Sequence, residues 1–320
     1  MTTPIPAAGK ILILASSSTG NNIFCTPAIR LIKKHRPNAR IDVVALNKLC
    51  AEVFTGNPSI NEVFVIDSRR AFDKLAKNYD RVLCLNANAQ RKLKTQTAMD
   101  NAGHLSADSD RAEQLLHFAA GLLQCEITDE DRAYFIHSTP EQGAALLAQA
   151  DVAPDAVLIC IHLGTGTTKL HGWKFFYAKR ADDKRLWPVD EYIKLGRALV
   201  AGNPKIRIII TGTRNETFLA KQFEREVPGT INLVGKTSVA DLHSLMRRVN
   251  LFIAHDCGVF HIAAATEVPI VGLYGPTDPV FAGPYPRRPQ HRLIKKATMA
   301  EITVPEVVEA AFELIAKYPR

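Results

Sequence analysis

The sequence predicts an α/β fold made of two doubly wound domains, and three observations lead to this prediction. Short apolar runs of the kind found in buried parallel strands recur through both halves of the chain. Longer stretches with the spacing of an amphipathic helix separate these runs, and this alternation is typical of βαβ units around a parallel sheet. The length of 320 residues suits about two domains.

The N-terminal half contains predicted strands over residues 10–15 (KILILA), 40–46 (RIDVVAL), 62–66 (EVFVI) and 81–85 (RVLCL). Helices are predicted between and after them, over residues 27–35, 49–54, 69–78 and 112–123. Pro27 is expected in the first turn of the first helix, where its missing N–H leaves no hydrogen bond unmade. Residues 16–22 (SSSTGNN) are expected to form the loop before that helix.

The C-terminal half repeats the pattern. Strands are predicted over residues 156–162, 206–211, 230–233, 251–254 and 269–274, and helices over residues 189–201, 216–226, 239–248, 258–266 and 304–317. Residues 128–155 have little strand signal and several polar and proline residues, so the linker is placed near residue 150. The two predicted domains therefore comprise residues 1–150 and 151–320.

Composition and cysteine usage limit the class of protein. Hydrophobic residues make up 47% and charged residues 22%, and no apolar run reaches the length of a membrane-spanning helix. The N-terminus lacks the pattern of a signal peptide, and the six cysteines are scattered without a CxxC pair. We therefore expect a cytoplasmic protein with reduced thiols.

The formal net charge of +8 favours anionic partners, such as phosphorylated small molecules, anionic lipid headgroups or nucleic acid. An ordinary solvated surface explains the charge equally well. Nucleic acid is not the expected partner, because the basic residues are not interleaved with aromatic residues on a strand face.

Two polar turns, residues 255–258 (HDCG) and 275–278 (GPTD), follow consecutive predicted strands. In doubly wound sheets, ligands bind at the carboxyl ends of the strands, so both turns are expected at one edge of the sheet, facing one pocket. A helix begins after the first turn, and the free N–H groups at its start suit a phosphate. Gly258 would let the backbone approach a diphosphate closely.

Several side chains near this edge have two interpretations. Asp256 either caps the helix or belongs to the ligand site, and His261, in the first turn of the same helix, is either structural or a ligand contact. Glu216 either caps a helix or accepts hydrogen bonds from ribose or sugar hydroxyls. Lys184 and Arg185 are either solvated or clamp a diphosphate. No histidine and carboxylate set has metal-ligand spacing, so a metal-independent site is expected.

The motifs resemble those of glycosyltransferase family 9, the ADP-heptose:lipopolysaccharide heptosyltransferases, over nearly the whole chain. Residues 256–264 (DCGVFHIAA) resemble the family pattern [ND]-[ST]-G-x-x-H-x-A-A, and GPTDP stands unchanged at residues 275–279. Residues 184–188 (KRLWP) resemble K-x-W-P with one extra residue. Residues 17–21 (SSTGN) resemble S-S-x-G-D, and T-P-A follows at residues 26–28.

The resemblance implies the GT-B architecture, in which two Rossmann-like domains face a cleft. The N-terminal domain would bind the acceptor and the C-terminal domain the nucleotide-sugar donor. It implies an inverting, metal-independent transfer of a heptose or related sugar from an ADP-sugar, without a further cofactor. The acceptor would be lipid-linked or an oligosaccharide, in the lipopolysaccharide core or a related surface glycan. The basic charge adds the hypothesis of peripheral contact with the anionic face of the inner membrane.

The resemblance also assigns roles to single residues. Glu216 would bind the nucleotide ribose, and Lys184 or Arg185 would offset the charge of the departing ADP. The catalytic positions are Asn21, Lys184, Arg185 and His261. The donor-binding positions are Ser16, Ser17, Thr213, Glu216, Asp256, Cys257, Gly258 and His261.

The chain departs from the family pattern at two positions. Cys257 replaces a hydroxyl residue and donates hydrogen bonds more weakly. Asn21 replaces the catalytic aspartate, and an amide cannot act as a base at neutral pH. Three alternatives remain open: another group such as Asp100 or His104 acts as the base, the acceptor carries its own activating group, or transfer activity is lost. The leading hypothesis is a glycosyltransferase, and the alternative is a catalytically degenerate protein that binds a nucleotide sugar or a glycan.

Overall fold

The computed structural model describes residue 5 and residues 7–103, 105–148, 150, 152–166, 168 and 184–320. The chain forms two compact units, Met1–His137 (unit 1) and Ser138–Arg320 (unit 2). Each unit is built around one sheet in which every pair of neighbouring strands is parallel. The prediction of two doubly wound α/β domains is therefore confirmed.

Unit 1 alternates strands and helices. Its elements are β1 (Lys10–Leu14), α1 (Thr19–His35), β2 (Arg40–Ala45), α2 (Lys48–Ala51), β3 (Glu62–Val65), α3 (Arg69–Ala76), β4 (Arg81–Cys84), α4 (Ala87–Leu93), β5 (Asp100–Asn101) and α5 (Arg111–Leu123), with 3-10 turns at Glu52–Phe54 and Asp129–Arg132. The sequence missed two of its elements, α4 and β5. The strand order is β3-β2-β1-β4-β5. Helices α3 and α4 bury apolar side chains against one face of this sheet.

Helix α1 begins at Thr19, so the predictions of a loop over residues 16–22 and of Pro27 in the first turn are wrong. Ser18 is the N-cap, and its hydroxyl accepts a hydrogen bond from the N–H of Asn21. Pro27 lies inside the helix, where it cannot donate to the carbonyl of Ile23. The Thr26 hydroxyl donates to that carbonyl instead, at 2.8 Å, and so supplies the hydrogen bond that proline cannot make.

Unit 2 has a larger sheet, in the order β11-β10-β9-β6-β7-β8. Its elements are α6 (Pro140–Ala148), β6 (Val157–His162), α7 (Val189–Gly202), β7 (Ile206–Thr211), α8 (Thr217–Glu226), β8 (Ile231–Asn232), α9 (Val239–Met246), β9 (Leu251–His255), α10 (Gly258–Ala264), β10 (Ile270–Tyr274), α11 (Pro279–Ala282), β11 (His291–Lys295) and α12 (Val304–Lys317), with 3-10 turns at Arg214–Glu216 and Met299–Glu301. The sequence missed β11, α6 and α11. Within the described ranges, no helix combines the length and apolar character needed to cross a bilayer.

The chain order reverses once within each sheet. In unit 1 the reversal falls between β1 and β4, and in unit 2 between β6 and β9. At such a reversal, the loops leaving two adjacent strands turn to opposite faces of the sheet and open a crevice for a ligand. Functional residues are therefore expected in the loops after β1, β6 and β9.

Helix α6 packs on α9, so unit 2 begins before the boundary near residue 150 that the sequence suggests. The hydroxyl of Ser244 accepts from the N–H of Gly143 at 2.8 Å and donates to the carbonyl of Thr139 at 2.6 Å. Ser138 Oγ and His243 Nδ1 are 2.7 Å apart. These bonds fix the residues expected to form the linker against unit 2.

Gly143 and Gly121, which lie in α6 and α5, provide a matched test of this packing. A Cβ at Gly143 would lie 2.7 Å from the carbonyl oxygen of Ser244, whereas a Cβ at Gly121 would meet nothing within 4 Å. We expect Gly143→Ala to destabilise the protein by about 1–3 kcal/mol through overpacking. Gly121→Ala should stabilise it by up to about 1 kcal/mol through helix propensity. Urea unfolding checks both, and equal midpoints for the two variants would contradict the α6–α9 contact.

Candidate functional site

The carboxyl ends of β6 and β9, at the strand reversal of unit 2, are tied together by a buried histidine. His255 ends β9, and its Nε2 lies 2.8 Å from the carbonyl oxygen of Gly164, in the loop after β6. Since a carbonyl only accepts, Nε2 carries the proton, and Nδ1 accepts from the Tyr192 hydroxyl at 2.9 Å. The histidine therefore holds the loop after β6 in place beside β9.

The Glu216 carboxylate is buried next to this loop. Its Oε2 accepts from the N–H and the hydroxyl of Thr213, the latter at 3.1 Å, which confirms the capping interpretation for this oxygen. Among the described residues, no hydrogen bond reaches Oε1, although the side chain is only 2% exposed. The ring Nε2 of His162 lies 3.7 Å away, beyond hydrogen-bond distance. A buried acceptor without a donor is costly, so Oε1 is suited to receive a donor from a ligand.

Two glycines allow the backbone to approach this carboxylate. A Cβ at Gly164 would lie 1.8 Å from Glu216 Oε1, and a Cβ at Gly212 would lie 2.8 Å from Oε2. Any other residue at these positions would displace either the carboxylate or a loop. Burial also lowers the pKa of His162, so the ring beside Glu216 is neutral at pH 7.

Arg185, Asp256 and His261, which the sequence predicted for the site, lie close together beside the turn that follows β9. Arg185 Nη1 lies 3.6 Å from Asp256 Oδ2, and His261 Nε2 lies 3.9 Å from Asp256 Oδ1. Cys257, not Asp256, is the N-cap of α10, so the prediction that Asp256 caps this helix is wrong. The Cys257 side chain makes no capping hydrogen bond, and burial raises the pKa of its thiol. Gly258 is the first residue of α10, as predicted.

The segment carrying Lys184 and Arg185 is anchored by Trp187. The indole is fully buried, donates from Nε1 to the carbonyl of Ile302 at 3.1 Å, and packs edge-on against Tyr192. Lys184 is exposed, whereas the Arg185 side chain is 35% exposed and turned towards Asp256. The structure therefore brings Arg185, but not Lys184, into the cluster with Asp256 and His261.

The second polar turn follows β10, which pairs in parallel with β9, so both turns lie at the same edge of the sheet as predicted. Asp278 caps α11 and accepts from the N–H of Val280 at 2.7 Å. Gly275 is packed tightly, since a Cβ there would lie 2.8 Å from the backbone nitrogen of Met299. These contacts give the GPTDP turn a defined structural role beside the cluster.

In unit 1, the residues predicted after β1 lie together. The amide of Asn21 accepts at Oδ1 from Arg111 Nη1 at 2.7 Å, and its Nδ2 donates to Ser16 Oγ at 3.4 Å. The backbone N–H of Ser16 donates to Asn22 Oδ1 at 2.6 Å, which fixes the start of α1. Ser17 is half-buried, and its carbonyl accepts from Asn47. Arg111 was not predicted, because nothing in its local sequence distinguishes it.

The sequence suggested Asp100 and His104 as alternative bases, and the structure describes only the first of them. The Asp100 carboxylate is held by the Arg81 guanidinium, at 2.5 Å from Nη2 and 3.0 Å from Nε. His104 lies outside the described residues. Within the part of the chain that the structure describes, no group of three or more His, Cys, Asp or Glu side chains could hold a metal ion.

Two parallel doubly wound sheets, with a buried carboxylate and a charged cluster at the strand reversal of unit 2, are typical of α/β proteins that bind a nucleotide at this edge. The family model described as glycosyltransferase family 9 (heptosyltransferase) matches residues 174–309. Lipopolysaccharide heptosyltransferase 3 of Escherichia coli K12 is 24% identical, over 92% of this chain and 94% of that relative. Lipooligosaccharide heptosyltransferase 2 of Haemophilus influenzae is 27% identical, over 43% of this chain and 37% of that relative.

A solved structure described as E. coli ADP-heptose lps heptosyltransferase II shares the fold, with a TM-score of 0.74 and 18% identity. The match covers 96% of this chain and 99% of that one. The chain is thus similar to glycosyltransferase family 9 over residues 174–309 and is a heptosyltransferase-like glycosyltransferase with the GT-B fold.

Proposed function

We propose that the protein transfers a heptose or related sugar from an ADP-sugar to the lipopolysaccharide core or a related surface glycan, with inversion and without a metal. The observation that carries this proposal is the buried Glu216 carboxylate, whose Oε1 accepts no hydrogen bond from the described residues. It lies at the strand reversal of unit 2, where a nucleotide is expected. The E. coli relatives are named as lipopolysaccharide and ADP-heptose heptosyltransferases, which supports the substrate class.

In this proposal, unit 2 binds the donor. Glu216 accepts from a ribose hydroxyl through Oε1, and Thr213 holds the carboxylate in position through Oε2. The backbone at Gly258 and the Cys257 N-cap lie beside the diphosphate. Arg185 offsets the negative charge that develops on the departing diphosphate. His261 and Asp256 orient Arg185 and the sugar.

Unit 1 binds the acceptor through the loop after β1. Ser16 and Ser17 lie in this loop and Asn21 lies in the first turn of α1, where Arg111 fixes its amide. Positioning the acceptor hydroxyl against the anomeric carbon supplies much of the rate acceleration that such a site can give. A cationic group in place of a metal suffices to stabilise a leaving diphosphate.

A transfer assay tests the proposed function. The purified protein would be incubated with ADP-heptose and a heptose-deficient lipopolysaccharide core acceptor, in the presence of EDTA. We expect the mass of the acceptor to increase by that of one heptose. NMR should show that the anomeric configuration of the transferred sugar is opposite to that in the donor. A product formed only after addition of Mg²⁺, or one with retained configuration, would contradict the proposed mechanism.

A second candidate function is binding without transfer, and Asn21 is the observation that favours it. The amide is committed to Arg111 and Ser16 and has no basic group. A protein of this kind would bind ADP-sugar in calorimetry but leave every acceptor unmodified. Turnover by the natural sequence would exclude it.

Unit 1 also presents a basic face that suits the proposed anionic membrane surface. The outer sides of α3 and α4 and their C-caps carry exposed cations, and Asp73 is the acidic residue among them. The cations are Arg69, Arg70, Lys74, Lys77, Arg91, Lys92 and Lys94. Since each cation near an anionic bilayer contributes about 1 kcal/mol, the face could support peripheral binding.

Vesicle sedimentation tests this face. We expect the variant Lys74→Gln/Lys77→Gln/Arg91→Gln/Lys92→Gln to bind vesicles of anionic phospholipid at least about tenfold more weakly than the natural protein. The matched control removes the same charge from unit 2, in Lys194→Gln/Arg197→Gln/Lys221→Gln/Arg225→Gln. Equal loss in both variants would show that only net charge matters and would contradict a specific membrane face.

A further inference from the structure

Asn21 leaves the proposed transfer without a proton acceptor in the loop after β1. Its amide oxygen accepts from Arg111, which makes it still less able to take a proton from an acceptor hydroxyl. Asp100 is paired with Arg81. Another carboxylate among the described residues, near the start of α1, is therefore a candidate base for this site.

Asp110 lies next to Arg111 in the chain and is the N-cap of α5. Because the Arg111 guanidinium is 2.7 Å from Asn21 Oδ1, the N-terminal ends of α1 and α5 are neighbours. Both helices follow the carboxyl ends of strands in the same sheet, β1 and β5. The Asp110 carboxylate is therefore placed at the same edge of the sheet as the first turn of α1, which carries Asn21.

The two oxygens of this carboxylate have different surroundings. Oδ1 accepts the capping hydrogen bonds from the N–H groups of Ala112 and Glu113, at 2.7 and 3.4 Å. Among the described residues, Oδ2 receives no hydrogen bond. Asp110 is partly exposed, and Oδ2 is not among the fully buried unbonded atoms of the described residues. One oxygen thus fixes the carboxylate while the other is available.

Burial raises the pKa of Asp110 to about 6, which brings the carboxylate close to the range in which a general base works at neutral pH. The nearby charges are Arg111 and Glu113 on the same helix, and Arg132, whose Nε donates to Glu113 at 3.1 Å. Helix α1 faces this region with Asn21 and Phe24, which are uncharged. No second carboxylate from the described part of α1 competes for the proton.

We propose that Asp110 replaces the missing aspartate at position 21 as the general base, an inference that rests on the proposed function. As the acceptor oxygen attacks the anomeric carbon, its proton passes to Asp110 Oδ2. The bond between the anomeric carbon and the diphosphate oxygen breaks, and the nucleoside diphosphate leaves with the electron pair. Asp110 then releases the proton to water.

Asp110→Asn tests this role without removing the helix cap, because asparagine caps as well as aspartate. We expect kcat/KM for transfer from ADP-heptose to fall at least about 100-fold, the usual contribution of a general base. Affinity for ADP and the thermal unfolding midpoint should stay unchanged. The control Asp108→Asn removes a neighbouring exposed carboxylate and should stay within about threefold of the natural protein.

The pH profile and a rescue variant separate a base from a structural residue. Since the base must be deprotonated, kcat/KM of the natural protein should fall as pH drops through about 6. The double variant Asn21→Asp/Asp110→Asn should have a kcat/KM at least about tenfold higher than that of Asp110→Asn. The acid limb should then move to lower pH, because Arg111 lowers the pKa of a carboxylate at position 21.

Two results would overturn the proposal while leaving the proposed function standing: transfer by Asp110→Asn within threefold of the natural rate, or an acid limb near pH 6 that persists in that variant. Loss of transfer accompanied by loss of ADP binding would also overturn it, since the residue would then be structural. If the natural protein itself transfers no sugar, the proposed function fails, and this inference fails with it.

Discussion

Replacing Gly164 with alanine should remove nucleotide binding, whereas the same change at Gly166, two residues later in the same loop, should leave it intact. A Cβ at Gly164 would lie 1.8 Å from Glu216 Oε1, a distance that no packing tolerates, while a Cβ at Gly166 would meet nothing within 4 Å. Either the carboxylate or the loop must move. The displaced contact also strains the hydrogen bond between Gly164 and His255.

We expect Gly164→Ala to weaken ADP binding at least about 100-fold, since ribose recognition and the loop after β6 are both disturbed, and to cost about 1–3 kcal/mol of stability through overpacking. Gly166→Ala should change neither quantity by more than about 0.5 kcal/mol. Titration with ADP and urea unfolding measure the two effects. Full ADP affinity in Gly164→Ala would mean that Glu216 does not contact the nucleotide.

The second large effect is expected at Arg185. Arg185→Gln should lower kcat by about 100- to 1000-fold, because the guanidinium near Asp256 is the group placed to stabilise the leaving diphosphate. Lys184→Gln, one residue earlier, removes the same charge from an exposed side chain and should lower kcat by less than about threefold. The pair is matched in charge, sequence position and replacement.

Steady-state transfer from ADP-heptose, at saturating donor, checks this pair. A larger loss in Lys184→Gln than in Arg185→Gln would reverse the assignment and favour the lysine as the residue that offsets the diphosphate charge. If Arg185→Gln raised KM and left kcat unchanged, Arg185 would bind the substrate and the transition state equally and would not stabilise the leaving group.

The sequence predicted the long, apolar elements of the fold well, because buried parallel strands and helices with a clear apolar face have strong local patterns. It failed where tertiary contacts decide the structure. The early start of α1 depends on the Ser18 cap and on the Thr26 hydroxyl. These two groups stabilise the helix although its first turns contain glycine, asparagine and proline, which have low helix propensity. Strand β5 has only two residues and exists through its pairing with β4.

The same distinction applies to the candidate site. The sequence predicted the positions of Asp256, His261 and Glu216 in the fold, because these residues follow strands with a strong apolar pattern. They did not predict which of Lys184 and Arg185 reaches Asp256, since that depends on how Trp187 is buried. Asp110 carried no signal, because its importance follows from a contact between Arg111 and Asn21, which are 90 residues apart.

Calorimetric titration with ADP, in the presence of EDTA, tests most directly the claim that unit 2 is a nucleotide-sugar donor site. The natural protein should bind one ADP, and Glu216→Gln should bind it at least about tenfold more weakly, because a hydrogen bond to a charged acceptor contributes about 1.5–3 kcal/mol. GDP and UDP serve as competing nucleotides. Absence of ADP binding, or equal affinity in the natural protein and Glu216→Gln, would contradict the assignment of the donor site.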